Sequence, residues 1–342
     1  LNNSRKHIFW FIVLLLGILV SFLINLAIGS ISICFSEVID SFFNPSTVKE
    51  SHYLIIQEYR LPKAITALLV GSGLGVAGLL MQTFFRNPLA GPYVLGLSSG
   101  ASLGVALLIL GSSTFGSLQF LTLHKWSYAI FAFLGCFLVL IGVLMVSAKV
   151  KNTNSILIVG LMFSSISSAI VSILSYFASQ SELQQYVFWG FGSLGNLSWE
   201  ELRWFACIYF IGIGLGLFSL KALNGLLLGE SYAKSIGHNI KKNRIIIIFA
   251  TSLLTGAVTA FSGPIAFIGL AIPYLARQIF NSSNHKIIFP ATICIGCIVM
   301  LLCDCLAQFP NNDLILPINA ITAIIGAPIV ILLLLNNRQV NL

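Results

Sequence analysis

The sequence predicts an all-α polytopic membrane protein: about ten transmembrane helices, some short or broken, in one domain over residues 1–342. Three observations predict it. Of 342 residues, 57% are hydrophobic and only 8% are charged. Soluble domains carry about 25% charged residues, so this chain lacks the polar groups to cover a water-facing surface. The apolar residues also fall in uncharged runs close to or above the roughly 20 residues that a helix needs to cross the hydrocarbon layer. Finally, the basic residues gather on alternate sides of those runs.

The first run, Ile8 to Ile28, follows Arg5 and Lys6. A signal peptide starts this way, but the run exceeds a usual apolar core and no small-residue cleavage site follows, so a first membrane span is expected. Ala64 to Phe85 is the second span. Residues 88–123 are too long for one span and contain Gly and Pro, which predicts a short or broken helix near 88–97. Residues 126–148, 152–181 and 205–220 supply one span each. Residues 245–276 are again too long, and Gly263 and Pro264 predict a second short or broken helix near 262–275. Runs 287–303 and 314–337 complete the set. Within a membrane a broken helix survives only where protein or a water-filled path satisfies the freed backbone groups. Both breaks therefore point to function. A faint similarity between 71–101 and 250–273 suggests an inverted repeat, an arrangement common in transporters.

With the N-terminus inside and sides alternating, only Lys49, Arg60, Lys63, Lys125 and Arg203 of the 18 Lys and Arg fall outside. Lys151, Lys221, Lys234, Lys241, Lys242, Arg244 and Arg338 are among those inside. Positive residues favour the cytoplasmic side, so both termini are expected there. The net charge of +8 then follows from topology and calls for no nucleic-acid partner.

Gly73-Leu74-Gly75-Val76-Ala77-Gly78 spells the dinucleotide fingerprint, but it lies in mid-span without the preceding strand or following acidic residue that the site needs. Gly71-x3-Gly75 and Gly212-x3-Gly216 instead predict close helix packing. Cys294-x2-Cys297 and Cys303-x-Cys305 have metal-like spacing. They sit in one apolar run with no cluster of His or acidic partners, so packing is the better reading and no metal site is expected. His238 and His285 read as loop residues. No GxxxxGK[ST] or HExxH occurs. No catalytic residue is expected, and any nucleotide hydrolysis must come from another chain. Asp304, near the outer end of a span, is read either as a functional ionisable group or as a partner of Lys63 or Arg60.

Three segments go beyond generic membrane composition: Arg60-Leu61-Pro62-Lys63 continuing to Arg86-Asn87-Pro88-Leu89-Ala90-Gly91-Pro92 and Gly96 to Ala101; Leu228-Gly229-Glu230 to Gly237; and Gly263-Pro264 to Pro273-Tyr274. In order and spacing they resemble the permease subunits of bacterial ABC importers for iron–siderophores, haem and vitamin B12. The resemblance runs from about residue 55 to 335 and includes Leu316-Pro317-Ile318 and Gly326-Ala327-Pro328.

It implies the type II ABC importer permease fold in the bacterial cytoplasmic (inner) membrane, embedded in lipid. The implied partners are a second copy of the chain, two ATP-binding cassette subunits and a periplasmic or lipid-anchored substrate-binding protein. No cofactor is expected on this chain; ATP and Mg belong to the partner ATPase. The resemblance assigns a cytoplasmic coupling segment at about 221–244, in which Gly229, Glu230, Ala233, Lys234 and Gly237 dock the ATPase. Glycine suits the two ends of such a helix, and Ala233 would permit close contact. It implies that Arg60 and Lys63 face acidic residues on the binding protein. Pathway or gating candidates are Gln82, Asn87, Pro88, Gly96, Gly100, Gly263, Pro264 and Asp304, with the second and third spans beside the pathway. Tyr274, Gln308, Ile315 and Asn319 depart from the family's usual His, Arg, acidic residue and Gly, which leaves the cargo open. The rival class, an ion-gradient-driven secondary transporter, would need charged relays in mid-span, and these are nearly absent.

Overall fold

The computed structural model describes residues 2–29, 31, 33–112, 125–149, 153–237, 239–308 and 315–335. Lys151, His238 and Arg338 lie outside the described residues. Among the described residues, eight helices are long and apolar enough to cross a membrane: α1 (Asn2–Ala27), α4 (Leu61–Phe85), α6 (Lys125–Lys149), α7 (Thr153–Phe177), α9 (Trp199–Phe218), α12 (Ile240–Ser262), α14 (His285–Ala307) and α15 (Ile318–Leu335). Two shorter apolar helices, α5 (Leu97–Ile109) and α13 (Ile268–Phe280), stand beside them. The breaks before them, at 86–96 and 263–267, fall where the sequence predicts short or broken helices. Between the spans lie α2 (Phe35–Phe43), α3 (Glu50–Leu54), α8 (Gln180–Gly190), α10 (Leu220–Leu227) and α11 (Glu230–Ser235).

Helix α4 is the centre of the molecule, packed on α9, α12, α13 and α14. Its apolar window is 89% buried, so it reads as hydrophobic all round because protein surrounds it. Glycine makes this approach feasible. A Cβ on Gly71 would stand 2.1 Å from the Gly296 carbonyl oxygen of α14, and one on Gly78 only 1.7 Å from that of Gly269 in α13. The predicted Gly71-x3-Gly75 and Gly212-x3-Gly216 faces are both used, Gly212 seating Leu254 and Gly216 seating Phe289. At its other end α4 continues through a π-helical turn (Ile55–Arg60) into α3. Pro62 has no N–H to offer the preceding turn, and the wider turn lies directly before it. Helix from Glu50 to Phe85 covers 36 residues, about 54 Å at 1.5 Å per residue. The hydrocarbon layer is about 30 Å thick, so the Glu50–Arg60 extension stands outside it.

Two units share one plan. Buried α4 is followed by a break over 86–96 and the 13-residue α5; buried α12 is followed by a break over 263–267 and the 13-residue α13. Each break contains a left-handed glycine, Gly96 at φ 73° and Gly263 at φ 75°. Phe267, at φ 64°, starts α13, a costly conformation for a bulky residue. It is over-determined by its surroundings: its Cβ packs where Gly326 of α15 leaves room, and Asn319 Oδ1 accepts from Ala266 N at 3.1 Å.

Candidate transport and coupling sites

Arg60 and Lys63 are expected to face a partner protein; the structure places both side chains inside the protomer. Arg60 is 4% exposed and Lys63 6%. Arg60 donates to the carbonyls of Leu26, Ala27 and Ile31, satisfying the end of α1. Lys63 Nζ lies 3.0 Å from Asp304 Oδ1. The other carboxylate oxygen accepts from Asn25 Nδ2 at 2.8 Å and Gln308 Nε2 at 2.9 Å. The structural alternative for Asp304 is therefore the one realised: it closes a polar knot that ties α1, α4 and α14 together.

Several pathway candidates also prove to be internal. Gln82 is fully buried, donating to Leu270 O at 3.1 Å and accepting from Arg277 Nη1 at 2.9 Å. Gly100 faces Gly135 of α6, where a Cβ would meet its carbonyl oxygen at 2.6 Å; Gly96 backs onto Gly160 of α7 in the same way, at 2.7 Å. Asn87 caps the turn after α4 by accepting from Leu89 N, and it is half-buried, as is Pro88. Gly263 abuts Gly192 and the Trp189 carbonyl, beside half-buried Pro264. These residues shape the bundle from within. The second span in particular borders no open surface.

The open surface lies elsewhere. The α7 window is only 17% buried. It shows apolar Ile158, Leu161, Met162, Ile166 and Ile173 together with exposed Ser165, Ser168 and Ser172 at helical spacing. Two of these serines return their hydroxyls to carbonyls of their own helix, leaving a face of small, weakly polar groups. Helix α8 continues from it, starting at a Ser179–Glu182 capping box and containing no buried residue. Beneath α8 is a cavity of about 420 Å³ lined by Tyr128, Gln185, Trp189, Asn196, Glu201 and Ser262, among others. The serine spacing within 152–181 is the signal in the sequence that marks this face; reading the run for hydropathy alone misses it.

At the far end of α9 the chain forms α10 and then α11, bounded by Gly229 at φ 116° and Gly237 at φ 87°. No L side chain occupies the Gly229 region readily, so glycine is needed to turn the chain into and out of this short helix. Its two faces differ. Ala233 is fully buried in the protomer, and Glu230 Oε1 lies 3.6 Å from Arg244 Nη2 in the first turns of α12. Leu228, Tyr232 and Ile236 are exposed at 68, 47 and 50%; Tyr232 and Ile236, four residues apart, share one side of α11, Leu228 precedes its Gly229 cap, and Lys234 is exposed away from them. Ala233, expected at the partner contact, lies against its own protein, and Tyr232 and Ile236 face out.

A model of the FecCD transport family matches residues 16–336. The chain is 32% identical to the Yersinia pestis hemin transport system permease protein HmuU, over 95% of this chain and 96% of that one. It is also 32% identical to the Klebsiella pneumoniae vitamin B12 import system permease protein BtuC, over 98% and 96%. A solved structure described as a metal-chelate type ABC transporter in an inward-facing conformation superposes with a TM-score of 0.81 at 31% identity, covering 94% of this chain and 97% of that one.

Proposed function

We infer, from the fact that this chain belongs to the FecCD transport family, that it is the membrane subunit of an ATP-driven importer, moving an iron–siderophore, haem or cobalamin from a binding protein into the cell. The observation that carries this reading is the glycine-bounded α11. It is too short to be stable alone, held from behind by Ala233 and Glu230, and it offers Leu228, Tyr232, Lys234 and Ile236 outward. A presented apolar side suits a docking groove on an ATPase chain. Residues 221–244 form the coupling segment, on the cytoplasmic side with both termini.

Two copies would meet along the α7 surface, where small hydroxyl groups give a path that neither grips nor excludes a bulky amphipathic cargo. Helix α8, unburied and seated over a cavity, has room to move and is the gating element in this reading. ATP and Mg remain on the ATPase, and this chain supplies no catalytic group.

Charge introduced on the outward side of α11 is the test. Tyr232→Asp with Ile236→Asp should leave the thermal midpoint of the purified chain unchanged and abolish stimulation of the ATPase by loaded binding protein. Ala233→Leu should instead lower the midpoint, at a stability cost of about 1–3 kcal/mol, typical of overpacking. Normal coupling in the double aspartate variant would remove α11 from the ATPase interface.

A further inference from the structure

Helix α2 takes no part in the transport reading, yet it is the most clearly amphipathic short element of the chain. At 3.6 residues per turn, Phe35, Ile39, Phe42 and Phe43 fall within about 100° of arc. All four are exposed, Phe43 at 79%. Val38 and Ser41 are buried on a second side, and Glu37 and Asp40 occupy the third.

Two contacts give the helix its direction. His52 Nδ1 lies 2.9 Å from Glu37 Oε2, and Gln57 Nε2 donates to Ser41 O at 3.4 Å. Both numbers rise together, over about 6 Å of α2 and about 7.5 Å of the Glu50–Arg60 extension. Helix α2 therefore runs alongside that extension in the direction of the α4 span, and Phe42 and Phe43 form its membrane-proximal end. The exposed surface of α1 leads to the same place. Val20, Ile24 and Ile31 are exposed on the way to Phe35, and Arg60 binds the end of α1 to the head of α4.

We propose that α2 is an interfacial anchor whose membrane-proximal end sets Phe42 and Phe43, with Ile39 above them, into the headgroup–acyl boundary of the adjacent lipid leaflet. Amphipathic helices with such a face bury it about 5–10 Å into that boundary. The chain enters α2 from the end of a membrane-spanning helix whose exposed residues are also apolar, which commits the face to lipid. Glu37, already paired with His52, and Asp40 stay on the side away from the acyl chains. The anchor fixes the height of the Glu50–Arg60 extension relative to the membrane, and with it the polar knot around Asp304.

The test uses the full chain in lipid nanodiscs, with exposed Cys34 and Cys207 changed to Ser and nitroxide labels on Phe43→Cys, Phe35→Cys and Asp40→Cys. Leu16→Cys in the middle of α1, 57% exposed, is the control for the membrane reading itself. Collisions with oxygen should exceed those with a water-soluble nickel chelate at 43, less so at 35, and the order should reverse at 40. With Leu16 behaving as a lipid-exposed site, a label at 43 open to the nickel chelate would overturn the anchor. So would a label at 43 shielded from both reagents, since a second copy or another protein would then cover the face. A water-accessible label at Leu16 would instead sink the membrane reading.

Discussion

Gly78→Ala is expected to leave no detergent-stable protein, while Gly214→Ala in α9 leaves the thermal midpoint unchanged. The added methyl at position 78 would stand 1.7 Å from the Gly269 carbonyl oxygen, and at position 214 it meets nothing within 4 Å. Overpacking a core usually costs 1–3 kcal/mol, because side chains can shift. Here the obstacle is the backbone of a second helix, and α4 and α13 must move apart along their whole contact. The cost should exceed about 4 kcal/mol, the range reserved for severe core disruption. Size-exclusion profiles and thermal midpoints in one detergent would measure it. A monodisperse Gly78→Ala protein with an unchanged midpoint would contradict the helix contact itself.

Lys63→Ala should be nearly as damaging. It leaves Asp304, 2% exposed, with two amide donors and no cation. Removing one partner of a buried pair costs about 3–5 kcal/mol, whereas replacing both by apolar groups is often neutral. The double variant Lys63→Met/Asp304→Leu should therefore recover most of the loss, an expectation read from thermal midpoints of the two singles and the double. A surface docking residue would behave differently: Lys63→Ala would fold normally and fail only when the binding protein is added.

Much of the fold is legible in the sequence because lipid imposes a simple rule. Each span must be an apolar helix of sufficient length, and each break shows as Gly or Pro inside an overlong run. Run 245–276 divides at Gly263 for this reason. The glycines flanking Glu230–Ser235 are equally readable, since their positive φ angles exclude other residues. What hydropathy does not carry is the side of a helix that meets protein. Ala64 to Phe85 and Ile8 to Ile28 are similarly apolar, yet one is the core and the other the rim. Arg60 and Lys63 look like interface charges until the carbonyls of α1 and the carboxylate of Asp304, hundreds of residues away in the latter case, are brought to them. Ala233 is small enough to suit either a partner or its own bundle, and only the fold decides. Gln308 and Asn319, departures from the family pattern, prove to be joints: one holds Asp304, the other the break before α13.

Reconstituted uptake is the most direct test of the importer assignment. The chain would be placed in proteoliposomes with the binding protein, with or without its ATP-binding cassette partner, and supplied in turn with haem, cobalamin and a ferric siderophore. The expected result is accumulation of one of these only when the ATPase chain and hydrolysable ATP are both present. Uptake by the chain without the ATPase, driven by a proton or sodium gradient, would contradict it.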